Sequence, residues 1–345
     1  MRIFSIFAKT KFREMKNRLF IAIIAVGLVI TTACSHSHKN IVDLWDVQVG
    51  NKYGFIDKTG KIVISPQFDG TMGFSEGLAA VEIGGKWGYI DKKGEIVITP
   101  QFDKTFGFSE GLAAVEIDGK KGFIDKKGEI VITPQFEINS FYEGVWFRDG
   151  LATITLGGVY GYIDKTGKIS IIPQFDYAFD FTEGLAAVRR GRKWGYIDKT
   201  GSIIMDFQFD ETFGFSEGLA AVKTGGYWGF VDKKGEFVIN PQFNDAKGFS
   251  EGIAAVEIGG KVGFIDKKGR FEINPQFDWD IVGTTFHDGL AAVKIDGKTG
   301  FIDRTGEIVI NPQFDWAMFF QNGLAKVKSG EKWIIIDKQG NIIWQ

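Results

Sequence analysis

Apolar residues alternate with other residues in short runs down this chain, and the runs return in a fixed order. LeuAlaAlaValGluIle (Leu112–Ile117) alternates as a strand does and ends at AspGly, a two-residue hairpin signal. LysGlyPheIleAsp (Lys121–Asp125) follows as a second strand, then LysLysGly, then GluIleValIle (Glu129–Ile132) as a third. Asp125 opens the second turn and Gly128 closes it, which suits a type I turn. Each unit is therefore expected to be a three-stranded antiparallel meander, with Pro134 ending the third strand because it offers no amide hydrogen.

The glycine of the second strand sets the period. It stands at Gly54, Gly88, Gly122, Gly161, Gly195, Gly229, Gly263 and Gly300, with Ile334 in the ninth slot; the steps are 34, 34, 39, 34, 34, 34, 37 and 34. A fixed period of this length means a repeat architecture. Two insertions break it, around Ile138–Phe147 and Trp279–Phe286. All seven prolines occupy one repeat position, and only the fifth unit lacks one, with Phe207 there instead. The array runs from residue 44 to residue 345 as nine whole meanders.

One meander cannot bury its face alone. The Phe of the PheSerGluGly segments (Phe74, Phe108, Phe181, Phe215 and Phe249) is expected to plug the gap between neighbours. The fold class that follows is all-β, with tandem three-stranded meanders stacked as an open solenoid or superhelix. A closed β-propeller is the alternative, although blades usually have four strands.

These residues resemble the WG-repeat family of bacterial proteins. The resemblance rests on TrpGlyTyrIleAsp (Trp87–Asp91), the turn to Gly94, ProGlnPheAsp (Pro100–Asp103) and PheSerGluGlyLeuAlaAlaVal (Phe108–Val115). It covers about residues 44 to 345, and it implies an envelope or interaction module rather than a particular chemistry.

The first 34 residues carry a different pattern. Lys9, Lys11, Arg13, Lys16 and Arg18 precede an apolar run, Leu19–Ile30, too short to span a bilayer comfortably. The run ends at Cys34, the only cysteine. The segment resembles a bacterial lipoprotein signal, which implies a signal peptide over 1–33, lipidation of Cys34, a tether over 34–43 and anchoring to membrane lipid. Ser35 after the Cys resembles lipoproteins sent to an outer membrane where one exists.

Charge narrows the partners. Without the six Lys/Arg and one acid of residues 1–33, the chain keeps 35 basic and 42 acidic residues, a net −7. A negative body with no basic run argues against nucleic acid.

Nothing in the pattern points to catalysis, a cofactor or a metal. His36 and His38 lie in the tether and His287 in an insertion, so no nucleophile–His pairing has its parts. Asp57, Asp91, Asp125, Asp164, Asp198, Asp232, Asp266, Asp303 and Asp337 are equivalent turn residues, whereas an acid–base pair needs two unlike environments.

The slot before the strand glycine varies most: Tyr53, Trp87, Lys121, Tyr160, Trp194, Trp228, Val262, Thr299 and Trp333. Its rings are expected to lie over the glycine, or else to form an exposed stripe (Tyr53, Trp87, Tyr160, Trp194, Trp228, Trp333) for an envelope polysaccharide. The insertions carry Tyr142, Trp146 and Trp279, which mark candidate loops for a protein partner. A protein-interaction scaffold at the cell envelope is the first reading and a polysaccharide-binding module the second.

Overall fold

The computed structural model describes residues 44–137, 146–278 and 284–345. They form an all-β array with no sheet closed on itself. The first unit is β1 (Trp45–Val49), β2 (Lys52–Ile56) and β3 (Ile62–Phe68), joined in that order. The second is β4 (Gly70–Ser75), β5 (Leu78–Ile83), β6 (Lys86–Ile90) and β7 (Ile96–Phe102). The third is β8 (Lys104–Thr105), β9 (Ala113–Ile117), β10 (Lys120–Ile124) and β11 (Ile130–Phe136). The meander is as expected, and a short fourth strand is added on the side of β5 and β9. Six units show that short strand as an element of their own sheet, at Gly70–Ser75, Lys104–Thr105, Tyr177–Ala178, Glu211–Thr212, Asp245–Ala246 and Trp316–Ala317.

The third strand does not stop at its proline. β7 runs through Pro100 to Phe102, which pairs with Trp87, while Ile98 pairs with Tyr89. Four residues on one strand thus span two on the other, a bulge in which Pro100 needs no ladder hydrogen bond. The bulged backbone lies across the strand glycine. A Cβ on Gly88 would sit 2.6 Å from Pro100 N and 2.8 Å from its Cα, and closer still to the Ile98 carbonyl oxygen. The glycine is therefore required by a crossing backbone and not by a covering ring. Phe207 keeps the same crossing without proline, since the Gly195 position faces Met205 and Asp206 backbone. In the ninth unit the last strand, Ile342–Trp344, pairs only with Ile336 and Ile335. Among the described residues nothing crosses position 334, and a buried Ile stands there.

After the crossing the chain enters the next sheet without a loop. Asp103 N donates to Glu116 O (3.0 Å), and the same bond recurs as Asp69–Glu82, Asp176–Arg189, Asp210–Lys223 and Asp315–Lys328. Each unit's fourth strand is thus the continuation of its predecessor's third.

The core lies between units. The face bearing Leu78, Ala80, Tyr89 and Ile98 packs against Ala113, Val115 and Ile124 of the next sheet. The Phe plugs sit in these layers as expected. Ring pairs such as Tyr89–Phe108, Phe123–Phe147, Tyr196–Phe215 and Phe301–Phe320 have centroids 4.7–5.1 Å apart. The third strands are the free edges, and pairs such as Ile96 and Val97 are 54% and 44% exposed.

The two ends of the array meet. Val47 and Ile56 of the first unit pack with Leu324 and Ile335 of the ninth, flanked by Trp45, Ile343 and Trp344. Lys326 Nζ also lies 2.7 Å from Asp46 Oδ2. The tandem stacked array stands as read. Its terminal contacts are those of a ring, the arrangement held as the alternative.

Gly88→Ala is expected to lower stability by about 1–3 kcal/mol through the forced shift of the crossing strand, read as a fall in thermal midpoint. A variant as stable as the parent would mean the crossing is loose.

Candidate functional site

The recurring polar side chains are engaged in holding the fold. The turn aspartates cap their own turns: Asp91 Oδ1 accepts from the N–H of Lys93 and of Glu95, each at 2.9 Å. Where Thr follows two residues on, its hydroxyl donates as well, and this holds Asp57, Asp164, Asp198 and Asp303 below the usual carboxylate range.

The aspartate of ProGlnPheAsp joins two hairpins. Asp103 Oδ1 takes Lys86 Nζ of the preceding unit at 2.6 Å, and Oδ2 takes Asp118 N of its own hairpin at 2.9 Å. The Lys86 bond is the largest cause of the lowered Asp103 pKa, and Lys86 is raised in return. Lys52–Asp69, Lys193–Asp210, Lys261–Asp278 and Lys298–Asp315 repeat the pairing. Where Tyr227 replaces the lysine, Asn244 replaces the acid.

The acid of SerGluGly makes a third link. Glu76 has φ +48°, a left-handed conformation uncommon for a side-chain-bearing residue, and its equivalents lie at +51° to +53°. Its carboxylate accepts from Gly111 N in the next unit (3.1 Å), while Lys126 Nζ bonds both the Glu76 carboxylate and its carbonyl. Glu110, Glu183 and Glu217 do the same with Lys165, Lys233 and Lys267. Sequence reasoning missed this clip, although a signal was present: the residue after each turn aspartate, from Lys58 to Lys338, is basic in all nine units, once as Arg304.

The slot rings lie on the first, second, fourth, fifth, sixth and ninth units. Tyr53, Trp87, Tyr160 and Trp194 are half-buried against the interlayer cores, and Trp228 is within one. Trp194 stacks on Phe179 (5.0 Å, 13°) with the Arg189 guanidinium 5.7 Å from its centroid. Trp228 stacks on Phe213 (5.1 Å, 9°) with Lys223 Nζ at 5.8 Å. These rings are engaged within the fold on both counts. Trp333 differs: it is 47% exposed and meets Trp316 edge-on at 5.4 Å.

Departures from the repeat gather in the fourth and fifth units. Trp146, half-buried, meets Phe106 of the preceding unit at 6.0 Å, and Arg148 stands over it. Arg148 Nε lies 3.5 Å from Asp180, which also receives the Thr153 hydroxyl at 3.2 Å. Burial lowers the Arg148 pKa, and the charges of Asp180, Asp149 and Glu110 oppose that. Tyr177 bridges Tyr160 and Trp194, at 4.9 and 5.7 Å. Tyr142, Trp279 and Cys34 lie outside the described residues. Among the described residues no three His, Cys, Asp or Glu come together as a metal site, and no helix is long and apolar enough to cross a membrane.

A family model described as WG containing repeat matches eight times, over residues 53–87, 87–120, 122–159, 160–194, 194–228, 228–261, 263–298 and 300–333. Among solved structures, a eukaryotic initiation factor aligns over 88% of this chain and 95% of its own, with a TM-score of 0.62 at 10% identity. BamB from Moraxella catarrhalis aligns over 89% and 95% (TM-score 0.46, 11% identity), and AztD from Citrobacter koseri over 85% and 90% (0.40, 14%). At these identities the likeness to the first is one of fold alone. No curated protein sequence matches the chain.

Glu217→Ala is expected to cost about 1 kcal/mol, the worth of a charge-assisted bond at a solvated site. Glu217→Gln, which still accepts from Gly252, should cost less. Equal losses by thermal melt would discount the clip. Acid titration provides a second check. The aspartates have folded pKa values below their unfolded ones, so their stabilisation is present above about pH 4 and lost as pH falls through the folded values. Burial also lowers His287; the unfolded chain then binds its proton more tightly, so a smaller loss begins as pH drops below about 6.5. Melting should be level from pH 7 to 8, and His287→Gln should remove the step near 6.5 alone.

Proposed function

The chain belongs to the WG containing repeat family, and from that premise we propose that it is a scaffold of the cell envelope whose ring of repeats holds a protein partner. One observation carries this reading. The three recurring acids are spent on turns and on links between units, so the repeat is a frame, and what varies on it is available for recognition. Beside the first insertion, Trp146, Arg148 and Asp180 stand where most other units have Gly, Ser or Thr, and Arg189 lies over Tyr177 and Trp194. A patch of aromatic and Arg side chains is the composition that protein interfaces favour. The net −7 of residues 34–345 speaks against nucleic acid as the partner. No reaction is assigned to the chain.

The polysaccharide reading is left aside, because stacking on a sugar needs an open ring face. Trp194 and Trp228 present theirs to Phe179, Arg189, Phe213 and Lys223.

The envelope address rests on the basic and apolar run before Cys34. A lipidated Cys with more than one acyl chain would hold the ring at a membrane, since a single chain anchors only marginally.

Two variants of the full chain test the proposal in cells. Removing residues 138–142 restores the 34-residue step; it should abolish the crosslink to a discrete partner and leave the thermal midpoint within a few degrees. Cys34→Ala should move the protein from the membrane fraction to the soluble one. Crosslinks that ignore the deletion, or a wild-type protein in the cytosol, would overturn the reading.

A further inference from the structure

The seam between the ninth and first units is built differently from the other eight. Each of those carries an aromatic plug on the second-strand ring. At the seam the ring position holds Ile335, and Trp45, at a position that is Ala in all eight other units, fills the layer. Lys326 and Asp46, also at an Ala position in most units, make an ion pair. Asn322 replaces the clipping acid.

Among the described residues the sheet of the first unit has three strands, β1 to β3, as that of the fourth unit has. In six other units the place of a fourth strand is filled on a fixed pattern, with the Asp or Asn N–H bonded at 2.8–3.0 Å to the carbonyl of the residue aligned with Gln48. Those residues (Glu82, Glu116, Arg189, Lys223, Glu257 and Lys328) turn their backbone groups outward, away from the second strand. Val47 pairs with Gly54 as Val81 does with Gly88, so the register is the same. Gln48 therefore directs its N–H and C=O to the open edge, where it and Val49 (49% exposed) meet solvent. Trp333 of the ninth unit, which Trp87 matches in the second, is 47% exposed.

We propose that the open edge of β1 at the seam is a strand-accepting site, taking an extended peptide segment from a partner protein as the fourth strand of the first unit. The six filled copies describe the ligand: an Asp (once Asn), then any residue, then Thr or Ala, buried in five of the six, then a large side chain in most of them (Met72, Phe106, Phe179, Phe213, Met318). Main-chain bonds would supply affinity and the buried small residue the register. This rests on the scaffold reading and names where and how a partner chain is held.

The probe is a labelled synthetic peptide with the sequence of residues 208–216, titrated against the mature chain. Binding is followed by anisotropy, and amide exchange by mass spectrometry. Saturable binding of one peptide per ring is expected, with slowed exchange in Trp45–Val49. Gln48→Pro should lose the binding at least tenfold with the melt lowered by a few degrees at most, because proline on an edge strand removes an outward N–H and, here, one exposed side-chain bond from Gln48 Nε2 to the Gly50 carbonyl. Binding that survives Gln48→Pro, or no binding, overturns the proposal. So would β1 amides protected without peptide and exposed on deleting residues 35–43, since the chain would then fill its own slot. Cellular crosslinking separates the two readings. A partner crosslink retained in Gln48→Pro sinks the slot and keeps the scaffold, while no crosslink in the wild type sinks the scaffold.

Discussion

The structure depends on one close approach, the third strand of each unit laid across the glycine of the second. The bulge at Thr99–Gln101 brings backbone to within van der Waals contact of Gly88, where any side chain would intrude. It also turns the strand so that its next residues pair with the following sheet. Strand sharing, interlayer plugs and ionic links all follow from that turn.

Between units the stabilisation is layered. Apolar side chains fill the middle, as with Leu78, Tyr89 and Ile98 against Ala113 and Val115. Phenols such as Tyr89 and Tyr196, buried and raised by that burial, still donate to the Phe106 and Phe213 carbonyls at 2.7 and 2.6 Å. Exposed ion pairs at the margins contribute little singly. The recurring pairs between units, however, also satisfy a backbone N–H, as Asp103 does for Asp118, so their loss strands a donor as well as a charge.

Much of this was legible in the sequence, and for physical reasons. Period-two alternation and turn chemistry placed the meanders, and the recurring Phe announced a plug because a lone meander has a face to bury. The short inner strand was not legible: two residues such as Lys104–Thr105 carry no alternation. Proline was read as a stop because the bulge that excuses it depends on pairing two strands, which no local pattern records. The variability of the ring slot resembled partial exposure, so its rings were expected to lie over the glycine or to form an exposed stripe. Trp228, at 3% exposure, shows that a layer can accept Lys121 or Trp by adjusting what lies over it. Ring closure depends on Asp46 and Lys326, single departures nearly a whole chain apart.

That last pair also bears on how the chain reaches its native state. The other side-chain bonds described above join residues 55 or fewer apart, whereas Asp46 and Lys326 are separated by 280. Arrays with neighbour-only contacts can nucleate anywhere and grow unit by unit. Eight layers can therefore assemble along the chain in sequence, at low loop-closure cost. The ninth must wait for both termini, so the seam is the last step of folding and the first to reverse under tension or heat.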